Sequence, residues 1–343
     1  MKTKEFCLNC LVLPIQFALL QAYTTQNLYT VKSVTIMRNL PKISLLALLT
    51  TYLVWGSTYL GIQVALTSFP PFFLMASRFL AAGFLLFAWL KSRGVPTPSM
   101  REWRDAFLVG TLLLCGGMGL TAVGEQTVSS GLTAVFIASA PLMLAVFAGL
   151  FGQWPTPREW IGILIGFGGV ALLAGGGDFA AHPGGVLCVL GAVASWTFGS
   201  VLAQKKMQLA PGAMGFASEM IMGGVSLMAV SLVRGESMGH LTVLAGSAWA
   251  YLVVAGSLAA FSAYMYLLSN VSNALASSYA YVNPVIAVIL GASFAHEAIG
   301  GRELLAMAVI LGSVIMLTTS KKQVKPVEEA VPKANTSAEP CAN

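Results

Sequence analysis

Between Ile43 and Thr319 this chain of 343 residues carries ten Lys/Arg and nine Asp/Glu. Charged residues make up 9% of the whole, against about 25% in an ordinary soluble domain. A water-facing surface needs charge for solubility. A stretch of 277 residues this poor in charge cannot be clothed as a soluble globule. Its solvent is lipid. The hydrophobic set reaches 57% and the mean hydropathy is +0.78. A soluble enzyme, a nucleic-acid binder and a disulfide-framed secreted domain are excluded on this ground. The lipid bilayer becomes the first expected partner and nucleic acid none. The net charge of +6 then reads as loop charge that holds topology.

Five cysteines give no framework. Cys115 and Cys188 fall in apolar stretches and Cys341 in the tail. Cys7 and Cys10 form a CxxC with no second Cys or His pair to complete a zinc site. His182, His240 and His296 are scattered near loops. No metal site and no cofactor are expected.

A membrane helix needs about 20 predominantly apolar residues. Ten such segments can be read, at roughly 43–64, 72–90, 106–124, 132–151, 160–176, 185–203, 213–233, 248–268, 274–294 and 303–319. Turn chemistry separates them: Phe69-Pro70-Pro71, Pro96-Thr97-Pro98, Trp154-Pro155-Thr156-Pro157, His182-Pro183-Gly184 and Ala210-Pro211-Gly212. With the N-terminus in the cytoplasm, 16 Lys/Arg fall in inside segments and two in outside loops, Arg78 alone lying within a span. That bias places both termini in the cytoplasm. The expected fold is an all-α membrane protein of ten transmembrane helices.

Residues 1–36 fit this plan poorly. Phe6 to Leu20 is an apolar run behind Lys2 and Lys4, but Asn9, Pro14 and Gln16 weaken it as a signal peptide. Met37, followed by Arg38, Lys42 and the first good span, is the expected start. The tail at 320–343, rich in Lys, Glu, Pro and Ala, is expected to be disordered.

The chain repeats itself at an offset of 141 to 144 residues. Trp55 meets Trp196, Pro70 meets Pro211, Ala76-Ser77 meets Ala217-Ser218, and Pro141 meets Pro284. Arg158-Glu159 meets Arg302-Glu303, and Gly168, Val170 and Leu173 meet Gly312, Val314 and Leu317. The halves are 43–177 and 184–319. Five spans per half is odd, so the second copy must enter the membrane from the opposite side. Two inverted five-helix repeats are the architecture of alternating-access transporters, with the substrate site near the midplane. Some channels share the device.

These residues resemble a known family. Trp55-Gly56-Ser57-Thr58-Tyr59, Pro70-Pro71 ahead of Arg78-Phe79, and Ala134 to Pro141 are similar to the EamA-type transporters of the drug/metabolite transporter superfamily. So are Arg158-Glu159-Trp160 leading to Gly168-Gly169-Val170, and Tyr279-Ala280-Tyr281-Val282-Asn283-Pro284 with Glu297 and Glu303. The resemblance runs from about Met37 to Ser320. It implies a bacterial inner-membrane exporter of small metabolites, amino acids or drugs.

Within the spans, Arg78 and Glu219 stand out. Either charge at a helix centre costs about 2.5–3.5 kcal/mol on insertion scales, so each must face protein or water. Arg78 lies seven residues past Pro71 and Glu219 eight past Pro211, which puts Arg78 about 10 Å deep. They hold the same repeat position with opposite charge. Arg78 then binds an anionic substrate group while Glu219 takes a proton or the substrate's amine. The competing reading is a buried ion pair that holds the halves together. Glu125, at the end of the third span, is either a solvated helix-end carboxylate or a second site for proton coupling.

Tyr52, Trp55, Tyr59 and Gln63 form one stripe of the first span, and Tyr251, Ser262, Tyr266 and Ser269 one side of the eighth. Polar-tipped aromatics suit a cavity that grips organic molecules, whereas Tyr52 and Tyr251 near span ends also suit interfacial anchoring. Trp196 serves either this site or the core. Pro141 and Pro284 remove a backbone hydrogen bond and clash with the carbonyls of Ile137 and Ala280, which bends the helix or opens a gate. Asn283 and Tyr281 join them as ligand candidates. Gly175-Gly176-Gly177-Asp178 lacks the lysine of a phosphate-binding loop and reads as a plain loop, so ATP does not drive this chain. A secondary transporter, first of all a proton antiporter, is expected, with a gated channel for small metabolites as the alternative. No enzymatic motif is present.

Overall fold

A computed structural model describes residues 41–174, 182–271, 275, 278–295, 297 and 300–319. The expectations for residues 1–36, for the tail at 320–343, for the Gly175–Asp178 loop and for His296 lie outside the described residues.

The described secondary structure is entirely helical. In chain order it comprises α1 (Lys42–Ala65), α2 (Pro71–Ser92), α3 (Met100–Gly124), α4 (Ser130–Gly149) and α5 (Pro157–Ala174). Next come α6 (Pro183–Lys206), α7 (Ala213–Val233), α8 (Val243–Leu267), α9 (Tyr279–Phe294) and α10 (Gly301–Thr319). Seven of them, α1 to α4 and α6 to α8, are long and apolar enough to cross a membrane. α9 is apolar but only 16 residues long.

Local chemistry sets the boundaries. Pro71, Pro157 and Pro183 each open a helix, where the missing N–H of proline is not needed. Ser99 and Glu102 form a reciprocal cap on α3, and Thr156 with Glu159 does the same on α5. Gly212 enters α7 with φ of 62°, a left-handed turn that a side chain would resist.

The two halves of the chain interdigitate. The most extensive packing is between helices from opposite halves: α2 on α7, α3 on α6 and on α7, α1 on α8, and α5 on α10. The main core gathers Ile62, Leu74, Met75, Met220, Leu227 and Leu252 from α1, α2, α7 and α8, all fully buried. Where α3 crosses α7, backbone meets backbone. A Cβ on Gly110 would stand 2.7 Å from the Glu219 carbonyl oxygen, and one on Gly223 would stand 2.7 Å from the Gly110 oxygen. Only glycine allows that approach.

Two features depart from the regular helices expected. α3 is π-helical over Thr111–Gly119 and α8 over Leu252–Ala259, positions that match at the repeat offset. Pro141 does not sit in a continuous helix. α4 breaks at Ala138–Ser139, and Pro141 falls in the first turn of the segment Ala140–Gly149. The break removes the expected clash with Ile137. Pro284, by contrast, lies inside α9.

Candidate functional site

The π-helical stretch of α8 organises the site. Its bonds run to the fifth residue instead of the fourth, and side chains of other helices bond into it. The Arg78 Nε donates to Ser257 Oγ at 2.9 Å, and the Trp55 indole N–H donates to the Gly256 carbonyl at 3.1 Å. A Cβ on Gly256 would stand 3.2 Å from Arg78 Nη2 and 3.0 Å from Thr58 Cγ2. The missing side chain at 256 thus admits the guanidinium. The matching stretch of α3 is engaged likewise, by Ser195 Oγ donating to the Leu112 carbonyl at 2.7 Å.

Arg78 is 4% exposed. Its guanidinium carbon lies 4.9 Å from the centre of the Phe79 ring, and Nη1 is buried with no partner. Glu125, just past the end of α3, is 3% exposed, and both its carboxylate oxygens are buried and unpartnered. The charges it feels are those of Glu297 and Arg78, and Tyr59 of α1 lies within reach of its field. No nitrogen of Arg78 comes within 4 Å of a Glu125 oxygen, since the one salt bridge among the described residues joins Arg104 to Asp105 at 2.7 Å. A buried cation and a buried carboxylate therefore share a neighbourhood with hydrogen-bonding capacity left over. Buried groups of this kind are normally satisfied.

Towards the other end of α1 lies an aromatic cluster. The Trp55 ring stands 5.3 Å from Tyr264 and 4.7 Å from Tyr279, which are themselves 5.5 Å apart. Tyr266 packs at its edge. The Tyr52 hydroxyl pairs with Ser278 Oγ. Asn283, with its amide nitrogen turned towards α1, donates to the carbonyls of Tyr52 at 3.3 Å and Tyr279 at 3.1 Å. Tyr251 hydrogen-bonds Ser57 at 2.6 Å. Tyr52 and Tyr251 are therefore tied to neighbouring helices.

The competing reading of Arg78 and Glu219 as a buried ion pair is not met, since no salt bridge joins them among the described residues. Glu219 is half-buried on α7 and makes no hydrogen bond or salt bridge among the described residues. Gln63 carries a buried, unpartnered Oε1. Trp196 is 38% exposed and lies over Gly117 of α3, which is packing between α6 and α3. Tyr281 packs with Leu142, Ile163 and Val314, a cluster separate from the aromatic one. Of the expected stripe on α8, Ser262 is exposed while Tyr251 and Tyr266 are half-buried. The π-helical turn shifts the phase between Tyr251 and Ser262, so a regular wheel misplaces the residues beyond it. Sequence reasoning misses Ser257 and Tyr264 for the same reason.

Comparison with known proteins gives this geometry its context. The EamA-like transporter family matches residues 42–175 and again 183–319. The inner membrane transporter YedA of Escherichia coli K12 is 44% identical over 277 residues, 80% of this chain and 90% of YedA. The transporter YvbV of Bacillus subtilis is 30% identical over 198 residues, 56% of this chain and 64% of YvbV. A solved crystal structure covers 80% of this chain and 97% of its own with a TM-score of 0.54 at 20% identity, a likeness of fold. With the family domain present twice over nearly all of its apolar length, the chain belongs to the EamA-like transporters, as a multi-pass protein of the inner membrane.

Proposed function

We propose that the chain is a secondary transporter that exports small metabolites, amino acids or drugs by alternating access. Ten spans in two inverted five-helix copies, with both termini in the cytoplasm, are the arrangement this reading requires. The lopsided distribution of Lys/Arg supports the sidedness. The matching π-helical stretches support the repeat.

One observation carries the reading: Arg78 Nη1 and both Glu125 oxygens are buried and unpartnered in one neighbourhood. A guanidinium with a free Nη1 and a carboxylate with both oxygens free, held in low dielectric, have strong interactions still to make. An anionic group on the substrate binds Arg78 Nη1, and the Ser257 bond keeps the guanidinium turned for it. Trp55, Tyr59 and Tyr266 supply apolar and cation–π surface for an organic body, and Gln63 Oε1 accepts a hydrogen bond from it. A carboxylate that alternates between a proton and the substrate's amine couples export to proton entry. Glu125 is the first candidate by position and Glu219, unpartnered on α7, the second.

The test is efflux of a panel of amino acids, antimetabolites and cationic drugs from energised cells, with and without a protonophore. Wild type is compared with Arg78→Gln, Glu125→Gln and Glu219→Gln at matched abundance in the membrane. Efflux abolished by the protonophore and by Arg78→Gln supports the reading, and the carboxylate variant that uncouples names the proton site. Efflux that survives both treatments points to a gated channel or facilitated diffusion.

A further inference from the structure

The helix starts on the Lys/Arg-poor face are not all closed in the same way. α10 is closed from its own sequence, with the Gly300 N–H donating to Glu303 at 2.9 Å. α2 begins after Pro70, which offers no capping side chain, and has no acidic residue in its first turn. Its exposed N–H groups are taken by Glu236, from the segment between α7 and α8. Phe72 N donates to one oxygen at 3.3 Å and Phe73 N to the other at 2.9 Å. Next to this grip, Gly239 N donates to the Ser68 carbonyl at 3.0 Å.

α4 carries a cap of its own, Ser129 Oγ accepting from Leu132 N at 3.4 Å, and receives a second carboxylate in addition. Glu297, from the segment between α9 and α10, accepts from Ser130 N at 2.8 Å and Ser130 Oγ at 2.7 Å with one oxygen. Its other oxygen accepts from Gly131 N at 3.0 Å. In both cases a carboxylate of the second copy closes, bidentate, on a helix start of the first copy. A carboxylate at a helix N-terminus interacts favourably with the helix dipole, and charge-assisted bonds are the stronger kind. Both grips lie on one face and both bridge the two copies. Ile62, 0% exposed, shares a core cluster with Phe69 and Phe72 beside the first grip, and Val135, 2% exposed, shares one with Val128 and Leu132 beside the second.

We propose that Glu236 and Glu297 are the two latches of the outward face, holding it closed while their bonds are made and broken when that face opens. The inference rests on the alternating-access reading and adds to it the bonds that define one end state.

The test is labelling from outside with a membrane-impermeant maleimide, in a chain whose five native cysteines are replaced by serine. Ile62→Cys and Val135→Cys are the reporters. Glu236→Gln is expected to raise the labelling rate at position 62, and Glu297→Gln that at position 135, by about tenfold, the scale of losing one charge-assisted grip. Glu236→Asp and Glu297→Asp, one methylene short of the amides, are expected to raise it as well and serve where a Gln variant does not accumulate. Glu303→Gln, which loosens only α10's own cap, is the control. Unchanged rates in the Gln and Asp variants overturn the proposal, and so does an equal rise with Glu303→Gln, which signals general loosening. Labelling that rises only in inverted vesicles places the two contacts on the other face and also overturns the proposal.

Discussion

Arg78 is held by one hydrogen bond, and that bond can be removed without touching the charge. Ser257→Ala deletes the acceptor for Nε and leaves a second buried N–H unsatisfied. It should lower stability in detergent by about 1.5–3 kcal/mol, the range for hydrogen bonds to charged groups, as read by denaturant unfolding. Arg78→Lys keeps the charge but not the fork of donors, so one ammonium cannot serve Ser257 and also offer a free donor where Nη1 stands. Transport should fall at least tenfold in the efflux assay while membrane abundance holds. At this scale the sequence singles out Arg78 and Glu219, because intramembrane charge is expensive, and leaves Glu125 open between a solvated helix end and a coupling site. It does not show their neighbours. Which atoms face Arg78 depends on the rotation of α8, and that rotation depends on a π-helical turn that leaves no mark in residue type.

The elements are more legible than their interiors. Prolines and capping residues start helices where turn chemistry says they must, as at Pro71, Pro157 and Pro183, since those residues act locally. The break at Ala138–Ser139 is hidden because apolar Ala and Ser suit a helix and a turn alike, so hydropathy alone puts Pro141 in the middle of a span. The glycines of the α3–α7 crossing are hidden among many others, and only tertiary contact singles out Gly110 and Gly223. Gly223→Ala places a methyl against the Gly110 carbonyl and Leu114, an overpacking that typically costs about 1–3 kcal/mol. Gly168, with nothing near its absent Cβ, should accept alanine with little change. Thermal melting of the two variants in detergent distinguishes these outcomes.

For the whole molecule, the repeat at an offset near 141 residues points to two copies, and the family match finds them. It does not reveal that the copies interdigitate, because self-similarity says what is duplicated and not what touches. Sidedness rests on charge, and fusion of a reporter that fluoresces only in the cytoplasm after Thr319 should light up. A periplasm-active phosphatase at the same point should stay silent. The reverse result inverts every assignment of inside and outside.

Interdigitation also has a consequence in time. α2 is complete at Ser92, yet α7, against which it packs, is complete only at Val233. At ribosomal rates of about 5–20 residues per second, roughly 7 to 28 seconds separate the two. Throughout that interval Arg78 is already part of the nascent chain while Ser257 has not been synthesised. Each helix of the first copy enters the bilayer as one half of a contact whose other half does not yet exist. The insertion machinery, its associated chaperones, or water held around the guanidinium must shelter it. The stage of greatest exposure to membrane proteases is therefore a ribosome-bound first half, and release from it comes only with the closing helices of the second.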